Sequence, residues 1–188
     1  MKAPFHTLLL FLPLLLTSCY VDSGKTSKSS TPGYQVHENK TLNVSVLTPD
    51  KWKSEVTTGG YLAMSSPDKK RAQILVMRRP IQDMMNGKGD EKSTLEDYKK
   101  YRISQMTEDV IGSELKHTTT KSTLAGQPAY QTQYSYKPKD KPTMHTREIY
   151  SVIGGKVYQI QLYYPAPFSE ELEKTFKVVK DSYKLLKP

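Results

Sequence analysis

The sequence predicts an α+β fold: a mostly antiparallel sheet flanked by two helices, an α/β/α sandwich. Short runs of alternating apolar residues, separated by turn residues, point to half-buried strands. Tight turn signals between neighbouring runs make those strands antiparallel. Longer segments with helical periodicity and N-terminal caps must bury their apolar stripes against the sheet.

The elements follow in order. "TLNVSVL" places Leu42, Val44 and Val46 on one face. Pro49 and Asp50 suit a turn, after which Trp52 is expected to return to the core. "YLAMSS" and "RAQILVMRR" read as a hairpin across "SPDKK". Residues Pro80–Lys92 read as a long loop, whose Met84 and Met85 suit an adaptable surface. Ser93 with Glu96 forms a capping box that opens a helix stopping near Gly112, with Leu95, Tyr98, Ile103 (or Arg102 beside it), Met106 and Val110 roughly on one face. "SELKHTTTKSTL" and "AYQTQYSY" are strands joined by "AGQP"; Tyr130, Thr132, Tyr134 and Tyr136 share a side. "TMHTREIYSVI" pairs with "KVYQIQLYY" through Gly154-Gly155, leaving Tyr158, Ile160, Leu162 and Tyr164 on one face. Ser169 caps a last helix with the stripe Leu172, Phe176, Val179 and Tyr183.

With 188 residues, 36% of them hydrophobic and 25% charged, the chain is long enough for one ordinary domain with a real core. The net charge of +9 favours anionic partners such as lipid headgroups or cell-wall polymers. It is scattered, with no run of five or more Lys/Arg, which argues against a nucleic-acid site. The single cysteine, Cys19, excludes an intramolecular disulfide and a cysteine zinc cage.

That cysteine ends an apolar run, Leu8–Leu16, which follows Lys2 and precedes the small residues Thr17 and Ser18. This is the order of a secretory signal, and the run is too short to span about 30 Å of hydrocarbon. Leu16-Thr17-Ser18-Cys19 closely resembles the bacterial lipobox. The resemblance implies cleavage between Ser18 and Cys19 and acylation of Cys19, which would anchor the chain to the cell membrane or outer membrane, facing outside the cytoplasm. Two or more acyl chains make such attachment stable. The expected organisation is a signal peptide over 1–18, a flexible tether over 19–33 and a folded domain over 34–188.

Four short motifs stand out within about residues 35–186: Pro49-Asp50-Lys51-Trp52, Leu124-Ala125-Gly126-Gln127-Pro128-Ala129, Gly155-Lys156-Val157-Tyr158, and the helix segment Phe176 to Tyr183. Together they resemble the PsbP domain family and its DcrB-type bacterial relatives. The resemblance implies a PsbP-like sandwich in a protein of the kind often found as lipoproteins or lumenal extrinsic subunits. The motifs are structural, so no functional residue is carried across.

Catalytic signals are weak. Ser66–Lys69 and Ser113–Lys116 fit S-x-x-K but lack its companion motifs, and neither G-x-S-x-G nor H-E-x-x-H occurs. His37, His117 and His145 are the weak candidates for metal ligation; no cofactor is expected. Tyr134, Tyr136, Tyr150, Tyr163 and Tyr164 with Arg147, rimmed by Lys137, Lys139 and Lys141, make the candidate partner surface, because tyrosine is amphipathic and common at interfaces. The expected function is therefore non-enzymatic: a lipid-anchored, extracytoplasmic binding or accessory protein with a protein partner in an envelope or membrane complex. The alternatives are binding of a small ligand or metal ion and, more remotely, a cell-envelope hydrolase.

Overall fold

The computed structural model describes residues 24–57, 59–67, 72–109, 116–137, 142–165 and 169–186. The chain begins with strands β1 (Lys25–Lys28), β2 (Tyr34–Asn39), β3 (Val44–Pro49), β4 (Lys53–Val56), β5 (Tyr61–Ser65) and β6 (Gln73–Pro80). Helices α1 (Ile81–Met84) and α2 (Leu95–Asp109) follow. Two hairpins come next, β7 (Lys116–Leu124) with β8 (Gln127–Tyr136) and β9 (Met144–Ile153) with β10 (Lys156–Pro165). Helix α3 (Glu170–Ser182) and the short β11 (Lys184–Leu185) complete the described fold.

The fold is α+β and its strand pairs are antiparallel. Among the described residues the main sheet has seven strands in the order β4-β5-β6-β10-β9-β8-β7, and a second has four in the order β1-β2-β3-β11. The larger sheet buries both faces against other elements. One face carries Leu62, Ile74, Ile160 and Leu162 against Val44 and Val46 of β3, Leu172, Phe176 and Val179 of α3, and Tyr183 just past the helix end. The other carries Tyr150 and Val157 against Ile81 and Met85 at α1 and Tyr98 and Tyr101 of α2. The strand period of two explains the division: Tyr158, Ile160, Leu162 and Tyr164 enter the first core, while Val157 enters the second.

Turn chemistry sets the register. Ala125 and Gly126 have φ of 50° and 75°, and Gly154 and Gly155 have 55° and 70°. Left-handed residues at both turn positions match the twist of the flanking strands, so each hairpin closes on two residues. Leu124 then faces Gln127, and Ile153 faces Lys156. Helix α3 opens as expected, with Ser169 Oγ accepting from Leu172 N at 3.4 Å.

Several local expectations need correction. Residues Lys25–Lys28, expected within a flexible tether, form β1 and pair with Gln35–Glu38. All its residues are exposed, so backbone hydrogen bonds hold it and hydrophobic patterning could not reveal it. The loop Pro80–Lys92 contains the helical turn α1, and Met85 is buried with Ile81 one turn away. Met85 is thus core, not adaptable surface. The capping box of α2 is Thr94 with Asp97, one residue later than expected: Thr94 N donates to Asp97 Oδ2 at 2.9 Å, and Asp97 N donates to Thr94 Oγ1 at 3.2 Å. Ser93 is held by Asp90, and Glu96 turns toward Tyr130 and Lys99. Val110 and Gly112 lie outside the described residues.

Candidate functional site

The register aligns chemistry across the face of the main sheet that α2 partly covers. Ser65, Gln73, Tyr163, Thr146, Tyr134 and His117 lie in one row across β5, β6, β10, β9, β8 and β7. The next row is Ala63, Leu75, Gln161, Glu148, Thr132 and Thr119; the one after is Tyr61, Met77, Gln159, Tyr150, Tyr130 and Lys121. Beneath α2 the rows are buried: Glu148, Tyr150 and Thr132 are fully inaccessible. Away from α2, Tyr61, Leu75, Met77, Gln161 and Tyr163 remain half-buried, as do Tyr134 and Tyr136. The result is a broad aromatic face with polar tips. Tyr134 stacks on Tyr136 with centroids 6.4 Å apart, and Tyr163 Oη donates to Gln73.

The floor of this face is a buried polar network. Arg102 Nη2 of α2 lies 2.8 Å from Glu148 Oε2 of β9. Gln159 Nε2 donates to the same oxygen at 2.9 Å, and Tyr98 Oη donates to Gln159 Oε1 at 3.2 Å. Burial works against the Arg102 charge, but the Glu148 carboxylate outweighs it and holds the guanidinium above its ordinary pKa. Burial pushes the Tyr98 phenol up as well, so it stays a neutral donor. Satisfied in this way, the network positions α2 over β9.

The structure divides the sequence-derived tyrosine surface. Tyr134, Tyr136 and Tyr163 share the α2 face. Tyr150 shares it too but is fully buried, in edge contact with Tyr98 at 5.1 Å. Tyr164 and Arg147 point to the opposite face. Tyr164 is 1% exposed, and both bond Glu173 of α3, Arg147 Nε at 3.0 Å and Tyr164 Oη at 3.2 Å. Tyr150, Tyr164 and Arg147 are therefore structural rather than partner surface. Lys137 is exposed, and Lys139 and Lys141 lie outside the described residues. Tyr61, Leu75 and Met77 are the members that sequence reasoning missed, since β5 and β6 read only as a hairpin and their register with β10 is what shows which side stays open.

The histidines are not brought together. His37 is buried in the small sheet, His117 is exposed on β7, and His145 stacks on Tyr164 at 5.3 Å on the α3 side. Among the described residues no group of three His, Cys, Asp or Glu side chains could hold a metal ion. Ser66 Oγ accepts from Ala72 N at 3.2 Å in a hairpin turn, and Ser113 lies outside the described residues. Ser18 and Cys19 also lie outside them. No helix among the described residues is long and apolar enough to cross a membrane.

Residues 41–185 match the family described as the serine/threonine kinase C-terminal domain. No curated protein sequence matches the chain. Among solved structures, the cyanobacterial PsbP (CyanoP) of Synechocystis sp. PCC 6803 superposes with a TM-score of 0.56 at 14% identity, covering 86% of this chain and 98% of that one. LpqN of Mycobacterium tuberculosis, described as involved in cell envelope biogenesis, superposes with a TM-score of 0.53 at 16% identity, covering 87% and 90%. These likenesses establish a PsbP-like fold.

Proposed function

The chain belongs to the serine/threonine kinase C-terminal domain family, and we propose that it is a lipid-anchored, extracytoplasmic binding module that docks onto an envelope or membrane protein complex. Phosphoryl transfer in protein kinases needs an H-R-D catalytic loop and a D-F-G metal ligand. The sequence has neither tripeptide. The family's description likewise concerns a domain accompanying a kinase rather than the kinase itself. The PsbP-like fold, shared with LpqN and CyanoP, agrees with an accessory role.

The observation that carries the reading is the half-open aromatic face: Tyr61, Tyr136 and Tyr163 beside Leu75 and Met77 on rigid strands. Such side chains bury large area at low entropic cost and keep a polar tip for hydrogen bonding. Attachment would come from Cys19, whose acylation would place the domain at the membrane.

The test is affinity purification of the full-length chain from detergent-solubilised membranes. A reproducible partner is expected, lost from a Tyr61→Ala/Tyr163→Ala variant and retained by a Lys184→Ala control on the opposite sheet. Equal recovery with both variants would sink the docking face. Labelled-palmitate incorporation is expected for the parent and absent from Cys19→Ser; incorporation that survives the change rules out the anchor.

A further inference from the structure

Strand β7 forms one border of the main sheet and is paired, among the described residues, only with β8. It runs for nine residues, long for a border strand, with the sequence KHTTTKSTL. Border strands are commonly kept short or interrupted by proline or a bulge, because their free backbone groups invite another strand. Here β7 is paired one-to-one with β8 along its full length, Lys116 with Ser135 through Leu124 with Gln127.

The hairpin shows which backbone groups are free. In a two-residue hairpin the residues flanking the turn form a hydrogen-bonded pair, and the pairs then alternate. Leu124, Ser122, Thr120 and Thr118 therefore bond β8, while Thr123, Lys121, Thr119 and His117 aim N–H and C=O outward. Two observations agree with this phase. Pro128, which has no N–H to give, sits opposite Thr123 in a non-bonded pair. Thr119 Oγ1 and Thr132 Oγ1 meet at 3.1 Å, as side chains do in the closer, non-bonded pairs.

The side chains of those same four residues lie on the α2 face, where β7 meets the tyrosine rows. His117 and Lys121 are exposed there, four residues apart; Lys99, over the Tyr130 ring at 4.5 Å, is already paired with Glu96, so among the described residues Lys121 supplies the free charge of this edge. Neither β7 nor β8 contains an aspartate or glutamate. An added strand would thus meet the Lys121 ammonium and the His117 imidazole on one face and the hydroxyls of Thr118, Thr120 and Ser122 on the other.

We infer that the outer edge of β7 captures an extended, acidic, β-branched segment of a partner protein by strand addition. The carboxylates would stand four residues apart, opposite His117 and Lys121. Main-chain bonds to His117, Thr119, Lys121 and Thr123 supply affinity, and charge selects the partner. This rests on reading the chain as a binding module but not on the aromatic face.

The probe is a blocked ten-residue peptide of valine and threonine with two glutamates four residues apart, titrated into the full-length chain in detergent micelles. Binding is expected to weaken as salt rises and to slow amide exchange at Thr119, Lys121 and Thr123 at least tenfold. Thr123→Pro removes an outward donor while leaving the β8 ladder and the Thr119–Thr132 contact in place, so affinity should fall at least tenfold with the melting temperature nearly unchanged. Lys121→Glu should reverse the preference, favouring the same peptide with lysines for glutamates. Tyr61→Ala/Tyr163→Ala should leave peptide binding intact, which separates this edge from the docking face. Absence of binding, unprotected amides at those positions, or a Lys121→Glu variant that keeps the glutamate preference each overturns the proposal. So does sedimentation showing that two copies of the chain pair through β7 instead.

Discussion

Glu148 lies fully inaccessible in the middle of the main sheet, with its charge met by Arg102 from α2 and an amide hydrogen from Gln159. Removing one member of such a pair leaves the other charged and buried, which costs about 3–5 kcal/mol. Glu148→Leu and Arg102→Met should each lower stability by that order in denaturant titrations. The double change should be less destabilising than the sum of the single ones, because it strands no charge, although it still leaves the buried Gln159 amide without its acceptor. If the double variant is as unstable as the sum of the single ones, the pair is not coupled. At this scale the sequence was only partly legible. Arg102 stood beside the expected helix stripe, and Glu148 shared the phase of Tyr150 along its strand. Their meeting depends on how α2 is laid across β9, a pairing between segments 46 residues apart. The same holds for Tyr164 and Arg147. Strand alternation assigns them to a shared face or an opposite one, but not to the face that α3 covers.

Helix α2 depends heavily on its ends. Its stripe is imperfect: Tyr98, Tyr101 and Met106 are buried, while Leu95 and Ile103 are only partly so. Its start is fixed by the reciprocal bonds of Thr94 and Asp97. The Thr94 amide and hydroxyl hold the Asp97 carboxyl below its ordinary pKa. Thr94→Ala is expected to cost about 1 kcal/mol, the usual worth of an N-cap, read as a lower unfolding midpoint. Ser93→Ala should cost less, since Ser93 caps only the preceding Asp90 turn; equal losses would return the cap to Ser93. The elements read best from sequence were those whose signals are local. The hairpins at Ala125-Gly126 and Gly154-Gly155 follow from residues suited to positive φ, and α3 follows from its cap and stripe. Strands β1, β4 and β11 were invisible because short, largely exposed segments carry little hydrophobic pattern and owe their conformation to a neighbour's backbone.

At the scale of the whole molecule, tyrosines tie stability to alkaline pH. Burial raises the phenols of Tyr98 and Tyr183, and pushes Tyr150 up to about 12. Tyr164 is likewise raised to about 12, by burial and then by Glu173. Unfolded tyrosines lose their protons near pH 10, whereas these hold theirs in the folded chain. The native state therefore binds more protons above pH ~10, so their contribution is whole below that value and is lost as pH rises toward about 12. Denaturant midpoints should be flat across pH 8–9.5 and fall steeply above pH 10, with tyrosinate absorbance appearing together with unfolding. Tyrosinate that forms fully while the fold persists would contradict this. The proposed anchor would also act at this scale. Lys25, the first residue of β1, stands six positions after Cys19. Six residues span roughly 20 Å at full extension, so an acylated Cys19 would hold the small sheet close to the bilayer. The sequence by itself determined the fold class, the hairpins, the last helix and the expectation of an N-terminal lipid, since each is written in local periodicity, turn chemistry or a contiguous motif. Only the tertiary structure decided which tyrosines are core and which remain open, that Glu148 finds Arg102, and that β7 borders the sheet. Those facts depend on strand order and on the placement of α2, which arise from packing between residues distant along the chain.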